Sequence, residues 1–241
     1  MQRFANPARF LKLADGVWPW AAAATAILFA AGLYLALIRA PVDYQQGETV
    51  RIMYVHVPAA WMGLFVYSFM ALAHGTAIVL RHPLADLAAK AAAPAGACFT
   101  FLALATGSLW GKPMWGTWWQ WGDARLTSMF VLFLLYLGYL AVWESISELN
   151  RAARIAGIVA IVGFINVPIV KFSVDWWSTL HQPASVFRIE GPTIHPALLL
   201  PLLVMALAYA MLFLSLWLLG VKTEILRRRI HQMQIAVAGE G

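Results

Sequence analysis

An all-α integral membrane protein with six transmembrane helices is what this sequence predicts, and three observations predict it. The chain is 62% hydrophobic and only 12% charged, with a mean hydropathy of +0.72, far too apolar for a soluble domain. Six apolar runs approach the roughly 20 residues a helix needs to cross a bilayer core. Lys and Arg sort unevenly between the alternating loops, as they do in polytopic proteins.

The expected spans are roughly Trp20–Ile38, Pro58–Leu80, Ala91–Trp110, Leu126–Trp143, Ile155–Val170 and Ala197–Gly220. The fifth is short and is expected to continue into Lys171–Trp177. The first is too long for a signal-peptide core and reads as a retained helix. No soluble domain or repeat interrupts the pattern, so residues 1–241 read as a single six-helix membrane domain. Eleven of the 17 Lys and Arg residues fall on the side holding both termini, among them Arg3, Arg9, Lys12, Arg81, Lys90, Arg151, Arg154 and the Arg227-Arg228-Arg229 run. The positive-inside rule therefore puts both termini in the cytoplasm. Net charge is +6, but this distribution is a topology signal and not a nucleic-acid surface. The lone cysteine, Cys98, excludes an internal disulfide and a CxxC site, and is expected to be a small core residue.

The segment Trp110–Ser128, WGKPMWGTWWQWGDARLTS, stands out between two apolar runs. It holds five of the 12 tryptophans, three glycines and the Asp123/Arg125 pair. Interfacial tryptophan usually forms an aromatic belt. This density points instead to a flat platform for a large apolar ligand such as a porphyrin, since each aromatic ring buries about 150–250 Å². The same outer side carries His56, just before Pro58 in what should be the first turn of the second helix, and His181, after Asp175-Trp176-Trp177. Outer-loop histidines are often merely solvated, yet imidazole is also a common axial ligand of haem iron. His195, before Pro196, is a spare ligand on the same side. His74 lies about 27 Å along the second helix from His56 and cannot share an iron with it; an interhelical hydrogen bond is expected there. Arg51, Lys112, Arg125 and Arg188 are outer-side cations that either pair with propionates or serve ordinary surface roles.

With these residues in place, the chain resembles the WWD-domain haem-handling proteins, and within them the cytochrome c maturation protein CcmC family, also called haem exporter protein C. The likeness runs through Pro41–Gly47, Tyr54-Val55-His56-Val57-Pro58, Thr106–Met114, the run Trp115-Gly116-Thr117-Trp118-Trp119-Gln120-Trp121 with Asp123–Ser128, and Asp175–Gln182. It covers nearly the whole chain, and the motifs occur in the family's order. One residue departs from the pattern: Gly122 separates Trp121 from Asp123, and positive φ at this glycine would absorb the shift.

The resemblance implies a haem-binding protein of the bacterial inner membrane, with a tryptophan-rich (WWD) periplasmic loop. Haem b (iron protoporphyrin IX) would be ligated axially by His56 and His181 and contacted by Trp115, Trp118, Trp119, Trp121, Asp123 and Arg125. It would then be presented to the haem chaperone CcmE. Implied partners are CcmD, the ABC transporter subunits CcmA and CcmB, and membrane lipid, with no nucleic acid. No Walker A motif is present, so the chain is not itself the ATPase. Three other readings stand beside this one. A cytochrome b-like electron-transfer subunit would need facing histidines deep in the helices. A haem lyase of the same group would be larger and carry more histidines. A plain haem permease would need a polar central path.

Overall fold

The computed structural model describes residues 6–82 and 84–239, and all of their regular structure is helical apart from one isolated bridge, Asp43 to Gly47. The helices are α1 (Pro7–Tyr34), α2 (Met53–Leu80), α3 (Ala85–Trp115), α4 (Ala124–Ser145), α5 (Leu149–Gly163), α6 (Asn166–Trp176) and α7 (Pro196–Gly239). A π-helical turn (Leu35–Arg39) ends α1, and a 3-10 turn (Glu48–Ile52) leads into α2. Six helices are long and apolar enough to cross a membrane, with α5 and α6 acting as one interrupted crossing, Leu149–Trp176. Alternation of the six crossings gathers residues 40–52, 116–123 and 177–195 at one end of the bundle, here called the loop end. The start of α1 and the end of α7 lie at the other, the terminal end.

Each expected span is present, but most run longer than hydropathy indicated. Helix α1 begins at Pro7, where Asn6 Oδ1 accepts from the Ala8 amide at 2.9 Å, so the charged tail before Trp20 is already helical. Helix α2 starts five residues before Pro58. Helix α3 runs to Trp115, so the first part of the tryptophan segment is helix and only residues 116–123 form the loop. Pro113 is tolerated in the last turn, and Gly116 ends the helix at φ 76, its amide bonding Lys112 O at 3.1 Å. The fifth crossing does reach Trp176, across a break at Phe164-Ile165.

Helix α3 is the hub, packed against α2, α4 and α7. Its buried strip reads Ala85, Ala89, Ala92, Gly96, Phe99, Ala103, Gly107 and Gly111, a spacing of three and four that puts small residues on one face. Between membrane helices no hydrophobic effect drives association, so close backbone approach and interhelical hydrogen bonds do the work. At Gly96 an added Cβ would sit 2.4 Å from the Tyr136 ring, whose hydroxyl donates to Gly63 O at 2.8 Å. Tyr136 and Tyr67 meet edge to face at 5.0 Å, and the Tyr67 hydroxyl donates to Val159 O at 3.1 Å. Cys98 corrects the expectation of a core cysteine: it lies off the buried strip and is exposed on the outer surface of the bundle. In a membrane helix both faces are apolar, so hydrophobicity alone does not tell which one is inside. Arg3 lies outside the described residues.

Candidate functional site

Three of the loop-end elements meet along one strip of α3. His56, on the fourth residue of α2, turns its ring into the strip: Nδ1 lies 2.9 Å from Ala103 O and 3.2 Å from Thr106 Oγ1. A carbonyl oxygen only accepts, so the proton is on Nδ1 and Nε2 keeps its lone pair. The ring fits because residue 107 is glycine, where a Cβ would stand 3.0 Å from His56 Cε1. One turn on, about 6 Å along the axis, Gly111 gives the same clearance to the Trp115 ring, at 3.1 Å. Trp115 in turn meets the His181 ring edge to face at 4.9 Å and Trp110 at 5.0 Å. The Trp110 indole N–H donates to Gln46 Oε1 at 3.1 Å, which ties in the first loop.

Asp123 joins the tryptophan loop to the His181 loop. It is the N-cap of α4, with Oδ1 accepting from the Leu126 amide at 2.9 Å. Oδ2 accepts from the Leu180 amide at 2.7 Å, and Oδ1 lies 3.6 Å from His181 Nδ1. Burial alone would raise this carboxyl. The His181 interaction and the two amide bonds outweigh burial and hold it down at about 2, so Asp123 is an anion at any ordinary pH. Asp123 is 2% exposed. Arg125 points the other way, its Nε donating to Ser173 Oγ at 3.1 Å and Nη2 to Lys171 O at 3.2 Å, which fastens α4 to α6.

The short loop between is held by hydroxyls. Ser108 donates to Trp118 O at 2.7 Å, Thr117 to Trp119 O at 2.9 Å and Thr127 to Trp121 O at 2.8 Å. Trp118 and Trp121 are exposed, while Trp119 is half-buried between Trp121 and Phe130. Gly122 does not take positive φ as expected; a turn with Asp123 N donating to Gln120 O at 3.1 Å absorbs the extra residue, and Gly116 is the loop's left-handed glycine. Three of the four buried polar side-chain atoms without a hydrogen-bond partner are here among the described residues: Tyr54 OH, Trp119 Nε1 and His181 Nδ1.

The remaining sequence candidates are spoken for locally. His195 Nδ1 accepts from the Ala197 amide at 3.2 Å and so caps α7. Arg51 pairs with Glu48 at 2.5 Å and also donates to Ala36 O at 2.9 Å, Lys112 donates to Gly116 O at 3.1 Å, and Arg188 meets Glu190 at 3.3 Å. His74 makes the expected interhelical bond, Nε2 to Tyr139 OH at 2.9 Å, and also faces Asp86 at 3.3 Å. Both of its nitrogens are occupied, which removes the deep-histidine feature a cytochrome b-like subunit would require. Sequence reading did not pick out Ala103, Gly107 and Gly111; their four-residue spacing leading to Trp115 was the available signal.

Fold and site together define a class: a membrane protein of six helical crossings whose loop end sets two of its histidines, His56 and His181, beside an ordered shelf of indoles. The chain belongs to the Heme exporter protein C family, whose model matches residues 1–236. It is 58% identical over 234 residues to Heme exporter protein C of Bradyrhizobium diazoefficiens, covering 97% of this chain and 88% of that one. The protein of the same name from Haemophilus influenzae is 45% identical over 93% of this chain and 91% of its own length. That from Escherichia coli K12 is 42% identical over 94% and 91% respectively.

Proposed function

We propose that this chain receives haem b at the loop end and presents it for cytochrome c maturation. Family membership carries the coarser part, haem export in that pathway. For the finer part, His56 and His181 are the axial ligands and Trp115, Trp118, Trp119 and Trp121 bear on the macrocycle. Arg125, fastened to Ser173 and Lys171, and Asp123, fastened to the Leu126 and Leu180 amides, would support this shelf from the loop side. The loop end is the periplasmic face of a bacterial inner membrane and both termini are cytoplasmic, as the Lys and Arg distribution indicates. The acceptor is the haem chaperone CcmE, and CcmD with the ABC subunits CcmA and CcmB complete the assembly. The chain is a delivery component within a single six-helix domain.

One observation carries the axial assignment. Both histidines turn Nδ1 toward protein acceptors, Ala103 O and Asp123 Oδ1, and this leaves Nε2 as the free donor atom. Metal-ligating histidines are commonly fixed in this way, with the second ring nitrogen bonded to a carbonyl or carboxylate. Trp118 and Trp121 are exposed and would offer their indole faces to the macrocycle or to a partner. The test is the absorption spectrum of the purified protein loaded with haem, beside His56→Ala and His181→Ala. A low-spin bis-histidine spectrum lost or converted in both variants is expected. A spectrum indifferent to both changes overturns the assignment.

A further inference from the structure

We propose that Asp123 is a positioning residue that orients His181 rather than a contact of the porphyrin. This rests on the axial role for His181 given above. The carboxylate has no face to offer a ligand, because it is 2% exposed and both oxygens are taken by the Leu126 and Leu180 amides. What it does face is His181 Nδ1, a buried nitrogen without a hydrogen-bond partner, 3.6 Å from Oδ1. A carboxylate only accepts, so its charge favours a proton on Nδ1 at this distance, the tautomer that leaves the lone pair on Nε2. The same side chain sets where the ring sits. Oδ2 holds the amide of the residue before His181, and Oδ1 anchors the first turn of α4. Trp115 closes the ring from a second side at 4.9 Å. The position of α4 and the orientation of His181 are thereby tied through one anion.

An anionic acceptor on Nδ1 makes the imidazole a stronger donor at Nε2 and favours the ferric state of an iron bound there. A neutral acceptor of the same shape gives the opposite shift. Asp123→Asn is the informative variant, because Asn caps helices as well as Asp does and keeps a carbonyl oxygen for one of the two amides. Thr127→Ala is its control: it removes the bond to Trp121 O and loosens the same loop without touching the carboxylate.

The experiment titrates full-length detergent-purified protein with haem b and measures its midpoint potential by spectroelectrochemistry. Asp123→Asn should bind roughly 10–100-fold more weakly, the usual loss for an outer-shell partner, and its midpoint should move positive. Thr127→Ala should keep the wild-type midpoint. Wild-type affinity and midpoint in Asp123→Asn overturn the positioning role while leaving haem binding standing. Equal midpoint shifts in both variants overturn it too, since a loosened loop would then suffice. A wild-type spectrum that ignores His181→Ala overturns the axial reading itself, and this inference with it.

Discussion

Two histidine–aspartate pairs stand at opposite ends of this bundle, and they differ in what their second nitrogen does. At the terminal end His74 is 1% exposed, faces Asp86 at 3.3 Å through Nδ1 and meets the Tyr139 hydroxyl at 2.9 Å through Nε2. At the loop end His181 faces Asp123 at 3.6 Å through Nδ1, with an indole rather than a hydroxyl as its neighbour. The first arrangement is closed: both ring nitrogens of His74 have a partner within the protein, and the pair joins α2, α3 and α4. The second is open at Nε2. A polar group inside a membrane protein is retained for structure when its bonds are complete, and for a ligand when one is left over.

Replacing the two histidines breaks this comparison most sharply. His74→Ala should leave the haem spectrum unchanged and should destabilise the fold by about 1–3 kcal/mol, because the Tyr139 hydroxyl and the Asp86 carboxylate lose their partner. His181→Ala should do the reverse, abolishing the low-spin spectrum with little loss of thermal stability. Thermal unfolding in detergent, read beside absorbance, separates the two. A His74→Ala protein that folds normally but loses haem would put the ligand at the wrong end.

The architecture was legible in the sequence because a bilayer demands one thing of a helix, a long apolar run, and six such runs are present. Helix ends were less legible. Trp110–Trp115 looked like loop because tryptophan, glycine and proline break hydropathy, yet Gly111 is what lets α3 continue beneath the Trp115 ring. The site histidines and tryptophans stood out by type and clustering. Their supports did not: Ala103 acts through its carbonyl, Gly107 through a missing side chain, and Leu180 through its amide. Backbone groups carry no letter in a sequence. Cys98 was misplaced for the related reason that lipid and core ask for the same apolar residues.

Acid should sharpen the contrast from the loop side. Asp123 has its carboxyl lowered from 3.8 to about 2, so its clasp is fully present above pH 4 and is lost as pH falls from about 4 through 2. The shift corresponds to something on the order of 2 kcal/mol for this buried group. Tryptophan fluorescence of the haem-free protein should change across that window, reporting release of the Leu180 segment from the indoles. The profile should be flat between pH 7 and 5 as far as this carboxyl is concerned. Asp123→Asn should lack the acid step; an unchanged step in that variant would mean another group drives it.

The smallest effect is the most discriminating, because it changes only one methyl group at each end. Two of the histidines sit against glycines: a Cβ at Gly107 would lie 3.0 Å from His56 Cε1, and one at Gly157 would lie 3.1 Å from His74 Nδ1. Glycine to alanine inside a helix gains about 0.5–1 kcal/mol from backbone entropy, which offsets the crowding. Both variants should therefore unfold within about 1 kcal/mol of wild type. Their haem behaviour should diverge. The His74 ring can give by a few tenths of an ångström at the expense only of its Asp86 and Tyr139 contacts. The same displacement at Gly107 swings His56 Nε2, the atom proposed to hold iron, and should weaken haem retention several-fold in a competition assay against a haem-binding apoprotein. Equal retention in Gly107→Ala and Gly157→Ala would mean that the seat of His56 on α3 does not set its aim.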